Sequence, residues 1–202
     1  MKVYLDNAAT TPMDEEVIAA MIPVMKENYG NPSSVHALGR QSRAIIEKAR
    51  KQVAGYINAA PSEIFFTSGG TEADNMVLRS CTEDLGVNHI ITSAIEHHAV
   101  IDTAQCVEKH NNIKLSLVKI DDKGYIDLNH LEQLLEENKN KKTLVSLMHA
   151  NNEIGNLLPL KKVAEICKKY QAYFHSDTVQ TVGHYAFDVR ELKIDFMTCS
   201  AH

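Results

Sequence analysis

Glu63-Ile64-Phe65-Phe66-Thr67-Ser68-Gly69-Gly70-Thr71-Glu72 is the stretch on which the fold turns. Residues 63–67 are a short run rich in β-formers and predict a strand. Residues 71–81 read as a helix, with Thr71 and Asp74 spaced like a capping box. Two glycines join strand to helix, and the alternation then continues downstream. A second strand is predicted at 89–93, a helix at 99–110, and a strand at 113–120 ended by the turn Asp121-Asp122-Lys123-Gly124. Leu128, Leu131, Leu134 and Leu135 share one helical face. Strands follow at 143–149, 172–176 and 195–199, with a helix at 160–170 that turns Val163, Ile166 and Cys167 inward. Alternation of this kind predicts an α/β domain with a mostly parallel sheet flanked by helices.

Upstream, the first 60 residues read differently, as an arm or part of a smaller domain. Asp14 can cap a helix through Val17, Ile18, Met21 and Ile22, which Pro23 should kink or break. Gly30-Asn31-Pro32-Ser33-Ser34 is a loop ending in an N-cap, and a longer helix runs to about Tyr56, closed by Gly55. The division expected is an N-terminal arm at 1–14 and one large domain at 15–202.

The 202 residues can hold one good-sized core, and 44% apolar with 23% charged residues excludes a disordered or collagen-like chain. A net charge of −5 gives no electrostatic footprint for nucleic acid or an anionic membrane. No apolar run reaches the ~18 residues of a bilayer span. The opening residues, Met1 to Pro12, carry one Lys and no apolar h-region, so they do not read as a secretory signal. The four cysteines, Cys81, Cys106, Cys167 and Cys199, form no C-x-x-C pair and read as buried free thiols, which fits a reducing cytoplasm.

Polar clusters follow the strands. Ser68-Gly69-Gly70-Thr71 offers helix-start N–H groups to a phosphate, or is simply a glycine turn before a capped helix. His97, in Glu96-His97-His98, can stack on a flat ligand or move a proton, or is a surface histidine; adjacent histidines point apart and do not share a metal. Asn151-Asn152-Glu153 can hydrogen-bond a phenolic oxygen or carboxylate, or is a loop. Asp177 can pair with a protonated ring nitrogen, with Gln180 reaching a neighbouring oxygen, or it caps the next turn; a metal on His175 and Asp177 is the weaker option, with no third ligand evident. Ser200 and His202 are phosphate-oxygen donors. Gathered at the carboxyl edge of one sheet, these clusters describe one site for a planar charged ligand bearing a phosphate.

The same residues resemble the pyridoxal-phosphate (PLP) cysteine desulfurases of the nitrogen-fixation and iron–sulfur-cluster type, in the class V aminotransferase family. The resemblance runs through Tyr4-Leu5-Asp6-Asn7-Ala8-Ala9-Thr10-Thr11-Pro12, Gly30-Asn31-Pro32-Ser33-Ser34 with His36, Phe66-Thr67-Ser68-Gly69-Gly70-Thr71-Glu72, Glu96-His97, Asn151-Asn152-Glu153-Ile154-Gly155, Asp177 with Gln180, and Ser200-Ala201-His202. It implies the large domain of an aspartate aminotransferase-like PLP-dependent transferase. It implies that Gly70, Thr71, Ser200 and His202 bind the cofactor phosphate. It implies that His97 stacks on the ring as the catalytic histidine, Asp177 pairs with the pyridinium nitrogen, Gln180 bonds the phenolic oxygen, and Asn152 lies near that oxygen and the substrate carboxylate. The implied reaction takes sulfur from L-cysteine to a separate cysteine as a persulfide, leaving L-alanine. The implied partners are a second copy of the chain and an iron–sulfur scaffold or sulfur-carrier protein.

This sequence also departs from the family pattern. The family's Schiff-base lysine would follow His202, and the persulfide cysteine and the carboxylate-binding arginine belong to the other half of such a chain. None of the four cysteines here matches that catalytic loop. Thr178-Val179, between Asp177 and Gln180, is a lesser difference. The expectation is the first half of a larger enzyme, broken at a PLP-modified lysine or truncated. The other readings are a selenocysteine lyase or transaminase of the same fold, and a non-catalytic fragment.

Overall fold

Asp14 starts the first helix, its carboxylate accepting a hydrogen bond from Glu16 N at 2.8 Å. The computed structural model describes all of the chain except Asn112 and His202. It divides into two compact units, Met1–Phe65 and Phe66–Ala201. They part at Phe65, close to where the sequence changes character.

In the first unit, α1 spans Glu15–Glu27 and runs on through Pro23. The break expected there does not occur. Proline removes one N–H donor, and at exposed Ala19 the freed carbonyl can be solvated. The second helix, α2, spans Ala37–Tyr56 and is capped by His36, whose Nδ1 accepts from Gly39 N at 3.3 Å, not by Ser34. Gly55 lies inside α2; Asn58, at φ 56°, carries the left-handed conformation after it. The strand expected at 63–67 does not form. Pro61–Glu63 is a 3₁₀ turn closed by the Glu63 carboxylate on Ala60 N at 2.6 Å, and Ile64 leaves it extended without joining the sheet. β-propensity needs a neighbouring ladder to become a strand.

Gly39 is held by geometry. A Cβ there would lie 2.4 Å from Ser34 O and 2.6 Å from Asn31 O, both backbone atoms of the Gly-Asn-Pro-Ser-Ser loop. Gly55 has open space around it. Gly39→Ala should therefore destabilise the protein by about 1–3 kcal/mol, and Gly55→Ala should stabilise it by about 0.5–1 kcal/mol. Urea melts of the two variants check this; equal effects would refute the close packing at Gly39.

The second unit opens with α3, Gly70–Glu83. Then come β1 (His89–Thr92), α4 (His98–Asn111), β2 (Lys114–Leu117), α5 (Leu128–Glu137), β3 (Thr143–Ser146), α6 (Leu160–Lys169), β4 (Tyr173–Asp177), a one-turn α7 (Val189–Leu192) and β5 (Phe196–Thr198). All pairings are parallel, in the order β2-β1-β3-β4-β5. This is the mostly parallel α/β sheet read from the alternation. The strands are shorter than their apolar runs: beyond β2, Ile120 makes only an isolated bridge to Ile126. β1 and β3 are buried along their whole length, as parallel strands covered on both faces must be. Ile90 and Leu144 pack with Leu78 and Cys81 of α3 and Val100, Ala104 and Val107 of α4. α6 packs on β4 and turns Val163 and Cys167 inward. Asp121 makes the expected turn, with its carboxylate bonded to Lys123 N and Tyr125 N and Gly124 at φ 81°. Among the described residues, no helix is long and apolar enough to cross a membrane.

The order β2-β1-β3-β4-β5 has one reversal of direction. From β1 the chain goes outward to β2, then returns to the other side of β1 for β3, β4 and β5. The crevice between the carboxyl ends of β1 and β3 is where such sheets take ligands.

Candidate functional site

Loops cross that crevice. After β1, Ser93 Oγ donates to Glu96 Oε1 at 2.7 Å, and Met148 N, past the end of β3, donates to Glu96 Oε2 at 2.9 Å. Asn151 Nδ2 donates to Ile95 O at 2.7 Å, and Asn151 Oδ1 accepts from Glu153 N and Ile154 N. The two loops are thus tied by a buried carboxyl and a buried amide. His97 follows directly. It is exposed, with Nδ1 accepting from Ala99 N at 3.1 Å at the start of α4. His98 turns away edge-on and meets Asp102 instead.

Asn152 is half-buried and donates to Glu153 Oε1 at 3.0 Å. Its neighbour Asn151 is the buried one that shapes the loop. Sequence reasoning named Asn152 for a site role and missed Asn151 as the scaffold; only the full loop geometry separates them.

Asp177 ends β4, buried at 6% exposure, and Oδ1 accepts from Val179 N at 2.9 Å. Its carbonyl accepts from His149 N at 2.8 Å. The carboxylate therefore sits at the sheet edge in a fixed turn, with half-buried Gln180 after it. The same turn meets α3. A Cβ on Gly70 would lie 2.9 Å from Val179 Cγ2, so glycine lets the first turn of α3 approach the Asp177 turn. Gly69 is the N-cap, and no side chain caps α3. The capping box expected from Thr71 and Asp74 is absent: Thr71 is exposed in the first turn and Asp74 faces the sheet. Uncapped first-turn N–H groups suit an anion. Ser200, half-buried, follows β5 at the same carboxyl edge. His202 lies outside the described residues.

His175 is no metal ligand. Its Nδ1 is 2.8 Å from Ser146 Oγ and its Nε2 3.3 Å from Thr198 Oγ1, both within the sheet, and burial pushes its pKa down to about 3.

The electrostatics are those of a site for a cation. Burial, then the charge of Asp177, pushes the Asp74 carboxyl well above the usual carboxylate range, with the Thr198 hydroxyl opposing. Glu96 is pushed up to about 8, first by burial and also by the charges of Asp177 and Asp74, against the hydrogen bonds from Ser93 and Met148 N. A planar cation over Asp177 would relieve this repulsion. A phosphate suits the other end of the site, at α3 and Ser200. The donor set therefore fits a protonated pyridine ring bearing a phosphate.

Glu96 also gives the protein a pH dependence. Its folded carboxyl keeps its proton above the ordinary value of 4.5, up to about 8. Its contribution to stability is therefore complete below the ordinary carboxylate value and is lost as pH rises toward the folded one. Each unit in that window costs up to about 1.4 kcal/mol. Glu96→Gln should remove the slope. With the cofactor removed, the variant's gain over the parent in urea should be larger at pH 8 than at pH 6; a constant difference would refute the assignment.

The sequence pattern described as Aminotransferase class-V matches residues 3–202. The cysteine desulfurase IscS of Dictyoglomus turgidum is 45% identical over 203 residues, covering 100% of this chain and 50% of that protein. The mitochondrial cysteine desulfurase of Drosophila melanogaster is 39% identical, covering 99% of this chain and 43% of its own length. Among solved structures, a NifS-like protein superposes with a TM-score of 0.92 at 40% identity, over 100% of this chain and 55% of that one. SspA in complex with cysteine superposes with a TM-score of 0.91 at 30% identity, over 98% of this chain and 57% of that one. The chain spans about half the length of the curated relatives it matches.

Proposed function

The chain belongs to the class-V aminotransferase family, and from that premise we propose that it forms the PLP-binding part of a cysteine desulfurase, which takes sulfur from L-cysteine and leaves L-alanine. The observation that carries the reading is Asp177: a buried carboxylate fixed at the end of β4, beside the uncapped start of α3. The relatives' names supply the reaction class, since several are called cysteine desulfurases.

PLP, when bound, supplies an electron sink for the bonds of the substrate's α-carbon. Asp177 would keep the ring nitrogen protonated by charge. Gly70 and Thr71 would give backbone N–H groups to the phosphate, and Ser200 and His202 would donate to it. His97 would stack on the cofactor ring and move a proton. Gln180 would donate to the phenolic oxygen, and Asn152 would orient the substrate carboxylate. A cysteine thiolate would attack the substrate sulfur, forming an S–S bond as the carbon–sulfur bond breaks; the electron pair would stay on the carbon skeleton, which gains a proton to become alanine, leaving a persulfide on the thiolate. Burial pushes the Cys81 and Cys167 thiols up to about 12, so these two are poor thiolates.

The working form is a homodimer in a reducing, cytoplasmic compartment, handing sulfur to an iron–sulfur scaffold or sulfur-carrier protein. Four free cysteines support the compartment.

The test is turnover by the full-length protein. In a single turnover L-cysteine should yield equimolar alanine and enzyme-bound persulfide, in a protein with the visible absorption of bound PLP. Activity with selenocysteine but not cysteine would favour a selenocysteine lyase, and amino-group transfer without sulfur release a transaminase. A colourless protein that PLP does not restore would favour a binding fragment.

A further inference from the structure

A chain of buried polar groups runs beneath the site, and no step above uses it. Asp74, at 1% exposure, projects from α3 onto the sheet. Thr198 Oγ1, on β5, donates to Asp74 Oδ1 at 2.6 Å. A threonine hydroxyl has one proton, and this contact uses it. Toward His175 Nε2, 3.3 Å away, Thr198 can only accept, so Nε2 carries the histidine proton. His175 Nδ1 is then an acceptor for Ser146 Oγ at 2.8 Å on β3. The bonds therefore all point one way, from Ser146 through His175 and Thr198, and end on the Asp74 carboxyl. His175 Nε2 also lies 3.6 Å from Asp74 Oδ1.

This chain is joined to the site through β4. His175 and Asp177 alternate along that strand and share its face. The titratable groups facing Asp74 are His175 and Asp177 on β4, with Glu96 at longer range; the group from β5 is the neutral Thr198. Burial keeps His175 neutral, so among the described residues of this polar chain no cation offsets Asp74.

We propose that Asp74 is a positioning residue for the cofactor site: a second buried carboxyl that, bonded through Thr198 and His175, fixes the end of β4 and, drawn to its charged form when a ring cation binds, adds negative charge to the Asp177 side of the site. The inference rests on the reading of Asp177 given above. Asp177 would touch the ring, while Asp74 would act through it. In apolar surroundings a second carboxyl near a cation favours the cation's protonated form. A purely structural Asp74 would need shape and hydrogen bonds only.

The discriminating variant is Asp74→Asn in the full-length protein. It keeps an oxygen for Thr198 and removes the charge. The readouts are PLP affinity, by titration of the cofactor-free protein, and the pH midpoint of the visible absorption of bound PLP. With one negative charge fewer, the midpoint should fall by about one pH unit, a tenfold change in proton affinity, and PLP should bind more weakly. A folded Asp74→Asn with the parent's midpoint and affinity overturns the proposal.

If Asp74→Asn does not fold, Thr198→Val and Thr198→Ser decide. Valine removes the donor that favours the charged carboxyl and should lower the midpoint; serine should restore it. No shift with valine overturns the proposal. Asp177→Ala, run in parallel, separates the two claims. If that variant binds PLP as the parent does, the underlying reading fails. If it loses PLP while Asp74→Asn is unchanged, only the role of Asp74 fails.

Discussion

Asp177→Ala is expected to weaken PLP binding by about 3 kcal/mol or more, roughly two orders of magnitude, with loss of most turnover. The carboxylate is 6% exposed and Val179 N bonds to it, so solvent cannot replace it cheaply. Removing it would take away the carboxylate that pairs directly with a protonated ring nitrogen. Asp177→Asn separates the contributions, because its amide oxygen can still accept from Val179 N. If charge is what matters, Asn should fall close to Ala in PLP affinity. If the hydrogen bond to the turn is what matters, Asn should fall close to the parent. The same loss should also lower the raised carboxyls of Asp74 and Glu96, since the charge of Asp177 contributes to both. Titration of PLP into the cofactor-free variants settles the matter; parental affinity in Asp177→Ala would remove the basis of the functional reading.

Phe174→Ala should have the largest effect on stability, about 3–5 kcal/mol. Phe174 is fully buried, lies in β4 between β3 and β5, and donates its N–H to Asp195 Oδ2 at 2.8 Å. It points to the opposite face from His175 and Asp177, by strand alternation. The loss should therefore appear in denaturant and thermal midpoints, while the fraction that stays folded binds PLP with near-parental affinity. This is the reverse of Asp177→Ala, which should alter binding far more than melting. A Phe174→Ala protein that melts like the parent would mean that the β4 core is assigned wrongly.

The parts of the fold written as periodic apolar runs were legible in the sequence. Ile90-Ile91, Leu144-Val145 and the Val163–Cys167 helical face each became the element expected. Placing polar clusters after those runs also put the candidate residues at one carboxyl edge, because a parallel sheet gathers its strand ends there. What stayed hidden depended on partners distant in sequence. Asp74 reads as a cap by spacing, yet its bond is to Thr198, 124 residues on. Glu96 looks like an ordinary surface acid beside two histidines until Met148 N closes on it. His175 looks like a candidate ligand until Ser146 and Thr198 take both of its nitrogens. The stretch at 63–67 has strand composition, but no ladder in the five-stranded sheet receives it. Spacing along a chain reports local bonds well and cannot report these.

The reversal in strand order sets a timetable for assembly. β1 can pair with β2 soon after both are made, but its other neighbour, β3, arrives later, with Thr143 standing 54 residues beyond His89. Glu96 and Asn151 cannot close the crevice before then, and Asp74 waits longer still for Thr198. Parallel pairings across such intervals make for slow folding. On a ribosome the carboxyls of this site would be solvated and freely ionised for most of synthesis, and would come to repel one another only as β4 and β5 dock. The cofactor could then act as a late template that stabilises the finished sheet, so its supply would influence the yield of folded protein.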